Sequence, residues 1–173
     1  IDKNSYLKEI KEYADKTNAK RWMMVYYNYK GVANFKANKS DSAKTYFFKA
    51  KQLANDIDSL RAMYKMNINL GALYNTGYNK QDSAIIYYKK ALELYRLDND
   101  KGKKLNQLFA LYNNTGNAFR ELKKYDSALR YYQKAEKIDL KQFDKKSKRI
   151  LYSNMDANFY YMKDWKNAYN YLY

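Results

Sequence analysis

Apolar residues recur along this chain at the spacing of an α-helix. Ala84, Tyr88 and Ala91 are separated by steps of four and three residues, and the run from Ala128 to Ala135 has the same steps. Residues spaced in this way lie on one face of a helix, and no segment alternates polar and apolar residues as a half-buried strand would. The pattern therefore predicts an all-α chain.

The apolar runs predict a leading helix followed by four helix pairs. Short turns containing Asn, Asp, Ser and Lys separate the runs, and proline, which breaks helix interiors, is absent from the 173 residues. The predicted helices cover residues 4–16, 19–37, 40–56, 59–77, 81–97, 103–122, 125–140, 146–161 and 165–173. We interpret Asp41, Asp82 and Asp126 as capping or first-turn residues, because a carboxylate there accepts hydrogen bonds from free N–H groups.

A set of small and aromatic residues recurs in these pairs. The equivalent alanines lie at positions 43, 84, 128 and 168, so the steps between copies are 41, 44 and 40 residues. A fixed period of this size indicates a stack of like modules. Each of the first three copies also has a glycine inside its first helix, which we interpret as a small residue that permits close helix contact. These glycines are Gly31, Gly71 and Gly116.

The motifs resemble the tetratricopeptide repeat, a helix–turn–helix unit. The best match runs from Tyr112 to Leu140, and weaker copies extend the resemblance to about residues 22–173. A typical repeat has about 34 residues, so this chain is similar to a longer-period subclass of about 40–44 residues. The family's proline after the second helix is missing, which predicts that the second helix runs on. One additional residue between Gly71 and Ala84 predicts a looser turn near Asn79.

The resemblance implies an all-α, right-handed superhelical solenoid of antiparallel helix pairs. We expect one array over residues 1–173, truncated at its C-terminus, with the leading helix at 4–16. Its repeats are expected at about 19–56, 59–97, 103–140 and 146–173. In such solenoids the first helices line the concave side. The function expected is non-catalytic binding of a protein or peptide in that groove.

Asparagine dominates the positions predicted to face the groove. An amide carries both donor and acceptor, so a row of amides can pair with the main chain of an extended peptide. Arg120 and Lys65 can bind a carboxylate, which favours an acidic ligand. The alternative is structural, because an Asn before the small residue is common in the family. The predicted groove residues are Asn28, Lys65, Asn69, Asn113, Asn114, Asn117, Arg120 and Asn154, among which Asn113, Asn117 and Arg120 share one helical face.

Composition excludes several classes of site. The chain has no Cys and no His, which removes disulfides, the commonest general base and the commonest transition-metal ligand. No phosphate-cradling glycine loop or acidic metal cluster is present in the sequence. We therefore expect no enzyme, no catalytic residue, no metal site and no cofactor.

The formal net charge of +16 raises a nucleic-acid or phosphate binder as a third, less favoured class. The densest charge, Lys141 to Arg149, is interpreted as a solvated linker. The leading alternative to a binding scaffold is a regulatory sensor domain of a bacterial signalling or transcription-regulatory protein. Its output module would lie outside this sequence, which begins at Ile1 and ends within a predicted helix. No apolar run spans a membrane, and a cytoplasmic or periplasmic location, like the oligomeric state, stays open.

Overall fold

The structure is a computed structural model that describes residues 3–98, 105–138 and 145–172. These residues contain helices and turns and no strand, which confirms the predicted all-α class. The helices are α1 (Lys3–Thr17), α2 (Lys20–Lys36), α3 (Ser40–Asp56), α4 (Leu60–Ala72), α5 (Gln81–Leu97), α6 (Leu105–Glu121), α7 (Tyr125–Glu136), α8 (Lys145–Tyr161) and α9 (Trp165–Leu172). A π-helical turn, Leu73–Gly77, continues α4.

The chain divides into two compact units, Ile1–Asn99 and Asp100–Tyr173. In the first unit, α1 packs on α2, α2 pairs with α3, α3 packs on α4 and α4 pairs with α5. In the second unit, α6 pairs with α7, α7 packs on α8 and α8 pairs with α9. Within each unit every helix thus packs on the next in sequence, which is the arrangement of a tetratricopeptide-like helical solenoid. That residues 1–173 form a single array stays a prediction.

A glycine in the first helix of three pairs meets an aromatic ring from the second helix. A Cβ atom on Gly31 would lie 2.5 Å from ring atoms of Phe47. A Cβ atom on Gly71 or Gly116 would overlap the ring of Tyr88 or Tyr132 in the same way. The three rings are at most 1% exposed. The interpretation of these glycines as residues for close helix contact is confirmed, and we call this arrangement the glycine–ring contact.

A second aromatic pair holds each of the later helix pairs together. Tyr74 stacks on Tyr87 with ring centroids 5.2 Å apart. The corresponding pairs, Phe119 with Tyr131 and Phe159 with Tyr171, stack at 5.3 Å and 5.6 Å. The first repeat has Asn34 at the position of Tyr74, and there Tyr46 stacks on Tyr27 at 6.1 Å instead. Adjacent tyrosines on the second helix therefore both pack, one beside the glycine and one on this ring.

Most first helices end in the same turn, with one residue in the left-handed region. At the end of α6, Lys123 has φ 58°. Its N–H donates to the carbonyl of Arg120 at 2.8 Å, and the N–H of Lys124 donates to that of Phe119 at 2.9 Å. This is the hydrogen-bond pattern of a Schellman motif, which satisfies carbonyls that have no partner inside the helix. The equivalent left-handed residues of the first two repeats are Asn38 and Asn79.

Replacing Lys123 with asparagine is expected to raise the free energy of unfolding by about 0.5–1 kcal/mol. The left-handed region is sterically unfavourable for residues other than glycine. Asparagine is less destabilising there than lysine, because its short side-chain amide can form a hydrogen bond with the nearby backbone. Urea unfolding monitored by circular dichroism measures the change. The reciprocal variant, Asn38→Lys, is the control and is expected to lower the stability. A shift of both variants in the same direction would contradict the assignment.

The prediction of a looser turn near Asn79 is wrong. The additional residue is accommodated inside the helix, as the π-helical turn Leu73–Gly77, and the left-handed residue still lies five positions before Ala84 as in the other copies. A π turn absorbs one extra residue because each of its hydrogen bonds spans five residues. Contacts with α3 accompany it: Ser40 Oγ donates to the carbonyl of Gly77 at 3.3 Å, and the Tyr78 hydroxyl donates to Asp41 Oδ1 at 2.6 Å.

The prediction that second helices run on holds for two pairs and not for the third. Helices α3 and α5 have 17 residues each, whereas α7 has 12 and ends at Glu136, before the predicted residue 140. The N–H of Ile138 donates to the carbonyl of Ala135 at 3.2 Å, which tightens the last turn. The side chain of Ile138 packs on the core of the second unit. Packing of this side chain thus accompanies the early end of the helix.

The free energy of unfolding is expected to fall at alkaline pH, because the pKa of several tyrosines is higher in the folded state than in the unfolded state. Burial and the hydrogen bond to Asp41 raise the pKa of Tyr78 to about 12. Burial also raises the pKa of Tyr64 and Tyr132. An unfolded tyrosine ionises near pH 10, so ionisation favours the unfolded state between about pH 10 and pH 12. The stabilisation is complete below about pH 10.

Urea unfolding at a series of pH values tests this expectation. The Tyr78→Phe variant is the control, because the lysines of both proteins titrate alike. Wild type is expected to lose stability more steeply than the variant between about pH 10 and pH 12. Parallel curves for the two proteins would contradict the raised pKa of Tyr78.

Candidate functional site: the amide faces of the first helices

The predicted groove residues lie on the first helices of the pairs, in both units. Asn28 on α2 lies with Lys65 and Asn69 on α4, and we call these three residues the first amide face. The second amide face belongs to α6 and α8 and consists of Asn113, Asn114, Asn117, Arg120 and Asn154.

Each amide face contains a hydrogen-bonded pair of asparagines from successive first helices. Asn69 Nδ2 donates to Asn28 Oδ1 at 2.8 Å. Asn154 Nδ2 donates to Asn113 Oδ1 at 2.9 Å. Both pairs join residues 41 positions apart in the sequence. The same contact therefore recurs once in each unit and links one repeat to the next.

The two members of each pair differ in exposure. Asn28 and Asn113 are each 7% exposed, whereas Asn69 and Asn154 are half-buried. Each pair uses one donor and one acceptor, although an amide group has two donors and an acceptor with two lone pairs. Within the described residues, Asn69 Oδ1 accepts no hydrogen bond. The inner asparagine thus orients the outer one, and in the first pair the side-chain oxygen of the outer asparagine remains available.

Arg120 lies at the end of the second amide face and contacts the same pair. Its Nη1 donates to the main-chain oxygen of Asn154 at 3.3 Å and to Asn154 Oδ1 at 3.4 Å. Residues 105–138 and 145–172 give its guanidinium no carboxylate partner. Carbonyl oxygens accept hydrogen bonds from the guanidinium and carry no formal negative charge that would neutralise it. This face therefore presents a fixed cation beside an amide.

Asn117 connects the second amide face to the glycine–ring contact. The hydroxyl of Tyr132 donates to Asn117 Oδ1 at 2.7 Å. Burial raises the pKa of this tyrosine, so the hydroxyl stays protonated and remains a donor. The three residues predicted to share one helical face, Asn113, Asn117 and Arg120, are thus together in the structure. Each has a partner within the second unit, and their contact with a ligand stays a prediction.

Lys65 and Asn114 differ from the other residues of the amide faces. Lys65 is exposed on α4, and Asn114 is half-buried on α6. Neither side chain forms a hydrogen bond or an ion pair with the part of the chain that the structure describes. Substituting them therefore changes the surface without removing a hydrogen bond or an ion pair within the described residues.

The remaining expectations from the sequence concern a metal site, a membrane span and the basic cluster. The described ranges contain no group of three or more acidic, His or Cys residues that could hold a metal ion. None of their helices is long and apolar enough to cross a membrane. Lys145, Lys146 and Arg149 of the predicted basic cluster are exposed on the first turns of α8. Lys141 and Asp144 lie outside the described residues.

The sequence identified the asparagines without identifying their pairing. The two pairs share one spacing, 41 residues, and in each the earlier asparagine precedes Gly31 or Gly116 by three positions. That shared spacing was the feature of the sequence from which the pairing could have been predicted. The packing role of Tyr87 and Tyr131 was also missed, although both stand directly before the tyrosines of the glycine–ring contact.

Comparisons with known proteins agree with this architecture. Residues 109–141 match the family model of the tetratricopeptide repeat. The crystal structure of BtubC (BKLC) from P. vanneervenii matches with a TM-score of 0.79 and 18% identity, over 88% of this chain and 61% of that one. The TPR domain of Arabidopsis FLU matches with a TM-score of 0.62 and 19% identity, over 68% of this chain and 94% of that domain.

At these identities the structural matches show the fold alone. This chain spans 61% of the length of BtubC. A comparison with curated protein sequences finds no match.

Proposed function

We propose that this tetratricopeptide-like chain is a non-catalytic protein-interaction scaffold, and that each of its two amide faces binds an extended segment of a partner protein. The repeat matched at residues 109–141 and the neighbour that is a TPR domain support the general role of a protein-interaction scaffold. We further propose that the ligand is extended, that it binds on the amide faces and that the chain has no catalytic activity.

The recurrence of the asparagine pair in both units is the observation that carries the proposal. Asn69 and Asn154 are held in the same way, by Asn28 and Asn113. An oriented amide surface can bond to the main chain of an extended peptide, whose N–H and C=O groups repeat regularly along the strand. Because the inner asparagine fixes the outer one before binding, less side-chain entropy is lost when the ligand binds.

The charges on the same faces favour an acidic ligand. Arg120 has no carboxylate partner within the described residues of its unit, and Lys65 is exposed. A carboxylate on the partner segment would form a charge-assisted hydrogen bond with the Arg120 guanidinium. The net charge of +16 would also accelerate association with an acidic segment at low ionic strength.

A random peptide library displayed on phage supplies a probe, because the selection requires only the folded chain as bait. A selected peptide is then titrated against wild type and the Lys65→Ala/Asn114→Ala variant by isothermal calorimetry. We expect the variant to bind about tenfold more weakly, which corresponds to a loss of about 1.4 kcal/mol. The matched control is Lys90→Ala/Gln133→Ala, which changes exposed residues of the second helices α5 and α7.

The control is expected to bind like wild type. Equal affinity of wild type and Lys65→Ala/Asn114→Ala for every selected peptide would reject the amide faces as the binding site. If only the control substitutions lowered the affinity for a selected peptide, its binding site would lie on the second helices. That result would reject the proposal as well.

A further inference from the structure

A half-buried lysine connects the second helices of the first unit. Lys51 lies on α3, and its ammonium group is 5.3 Å from the centre of the Tyr87 ring on α5. The face of an aromatic ring attracts a cation but accepts no conventional hydrogen bond. Lys51 forms no hydrogen bond or ion pair within the described residues. Its three N–H donors therefore remain free to bind solvent or a ligand.

A second cation lies beside the same ring. Lys90 follows Tyr87 by three positions on α5, so the two side chains lie one turn apart on the same helix face. Lys90 is exposed, and it forms no ion pair with any carboxylate that the structure describes. Burial lowers the pKa of the Lys51 amine, and the positive charge of Lys90 lowers it further. Two like charges thus meet between α3 and α5 without an acid to balance them.

The equivalent contact in the second unit has the opposite charge. Counted from the small alanine of each helix, Glu136 on α7 and Tyr171 on α9 occupy the positions of Lys51 and Tyr87. The Tyr171 hydroxyl donates a hydrogen bond to the Glu136 carboxylate. The repeat therefore does not require a lysine at this position. A polar contact that is satisfied in one unit and unbalanced in the other is expected where the unbalanced groups have a function.

A depression opens beside Lys51 along the exposed face of α3. Its volume is about 490 Å³, which lies within the range of about 300–1,000 Å³ typical of small-molecule sites. Ammonium, hydroxyl and amide groups line it together with one aromatic ring. The lining residues are Thr45, Phe48, Lys49, Lys51, Gln52 and Asn55. The depression can therefore contact the uncharged part of a ligand whose anionic group is bound by Lys51.

We infer that α3 and α5 form a binding site for a small phosphate ester, in which Lys51 and Lys90 bind the phosphate group and the depression on α3 receives the organic part. The charge of the site selects this group. A phosphate monoester carries a charge of about −1.5 to −2 at pH 7, which balances two ammonium groups, whereas a carboxylate balances one. Both lysines can donate hydrogen bonds to phosphate oxygens, and such charge-assisted bonds are stronger than bonds between neutral groups.

This site is independent of the amide faces. It lies on the second helices α3 and α5, whereas the amide faces belong to the first helices. Peptides displayed on phage carry no phosphate group, so they probe the amide faces without supplying the ligand inferred for α3 and α5. The two binding experiments can therefore fail separately.

Titration of the isotope-labelled 173-residue chain with two phosphates tests the site. The probes are inorganic phosphate and N-acetyl-O-phosphoserine amide, added at constant ionic strength, and nitrogen–proton spectra follow the signals of Lys51, Tyr87 and Lys90. We expect saturable shifts with both probes, and a lower dissociation constant for the ester because its organic part contacts the depression. In Lys51→Gln/Lys90→Gln both dissociation constants are expected to rise at least about tenfold.

The matched control is Lys44→Gln/Lys89→Gln, which removes two exposed lysines from the same two helices and is expected to bind like wild type. Without phosphate, Lys51→Gln/Lys90→Gln is expected to keep at least the melting temperature of wild type, because it removes a repulsion between like charges.

Equal binding of the probes by wild type and Lys51→Gln/Lys90→Gln would overturn the inference, and so would the absence of saturable shifts. Binding of acetate as tight as that of phosphate would also overturn it, because the site would then not select phosphate. Equal affinity for the two phosphates would overturn the role given to the depression and would leave free phosphate as the ligand.

Discussion

Replacing Tyr132 with alanine is expected to lower the free energy of unfolding of the second unit by about 3–5 kcal/mol. The ring is fully buried beside Gly116, so its removal leaves a cavity that the rigid helix backbones cannot close. The variant also loses the hydrogen bond from the hydroxyl to Asn117. Because Trp165 is the only tryptophan of this unit, its fluorescence in a Trp22→Phe background reports urea unfolding of the unit.

The Tyr132→Phe variant separates the two contributions. It keeps the ring and removes only the hydroxyl, so we expect a loss of about 1 kcal/mol. Loss of most of the stability in this variant would show that the hydrogen bond, rather than the packing of the ring, dominates. A loss below about 1 kcal/mol in Tyr132→Ala would contradict the glycine–ring contact altogether.

Replacing Gly71 with leucine is expected to destabilise the first unit by about 3 kcal/mol. A Cβ atom at this position would overlap the ring of Tyr88, which is 1% exposed and cannot move into solvent without leaving the core. The helix itself would favour leucine over glycine by about 1 kcal/mol, so a loss identifies the steric contact as the cause. Fluorescence of Trp22 in a Trp165→Phe background follows the unfolding of this unit.

A double-mutant cycle tests whether the loss comes from this ring. In Gly71→Leu/Tyr88→Ala the leucine side chain occupies space that the ring has vacated. The double variant is expected to be more stable than the sum of the two single losses predicts, by about 1–2 kcal/mol. Additive losses would show that the two residues do not share the contact.

The helical architecture could be predicted from the sequence because its signals are local and repeated. The spacing of Ala84, Tyr88 and Ala91 indicates one helix face, and recurrence of this spacing after Ala128 indicates a second copy of the same module. The predicted and observed bounds agree for α3 at 40–56 and for α5 at 81–97. Gly116 could be interpreted as a contact residue because glycine destabilises the interior of a helix, so its presence there indicates that close packing requires a small residue.

The π-helical turn after α4 and the early end of α7 could not be predicted, because contacts with residues distant in the sequence accompany each of them. The extra residue before Asn79 is compatible with a longer turn or with a π-helical turn, and contacts of Ser40 and Asp41 with the far end of α4 accompany the second. The early end of α7 is accompanied by packing of Ile138 on the core, which helical spacing does not reveal.

The sequence predicted which asparagines belong to the candidate site, but it did not predict the hydrogen bonds between them. Asn69 and Asn154 were placed on the first helices, where the structure has them. Their hydrogen bonds to Asn28 and Asn113 depend on the distance between successive first helices, and a sequence gives no such distance.

The central claim is that the side-chain amides of the first helices contact the partner. Side-chain amide groups of asparagine give their own signals in nitrogen–proton correlation spectra, so the contact can be observed directly with a labelled chain and a phage-selected peptide. We predict that the side-chain signals of Asn69, Asn114 and Asn154 shift on titration with the peptide. Shifts confined to residues of α3, α5 and α7, with these three signals unchanged at saturation, would contradict it.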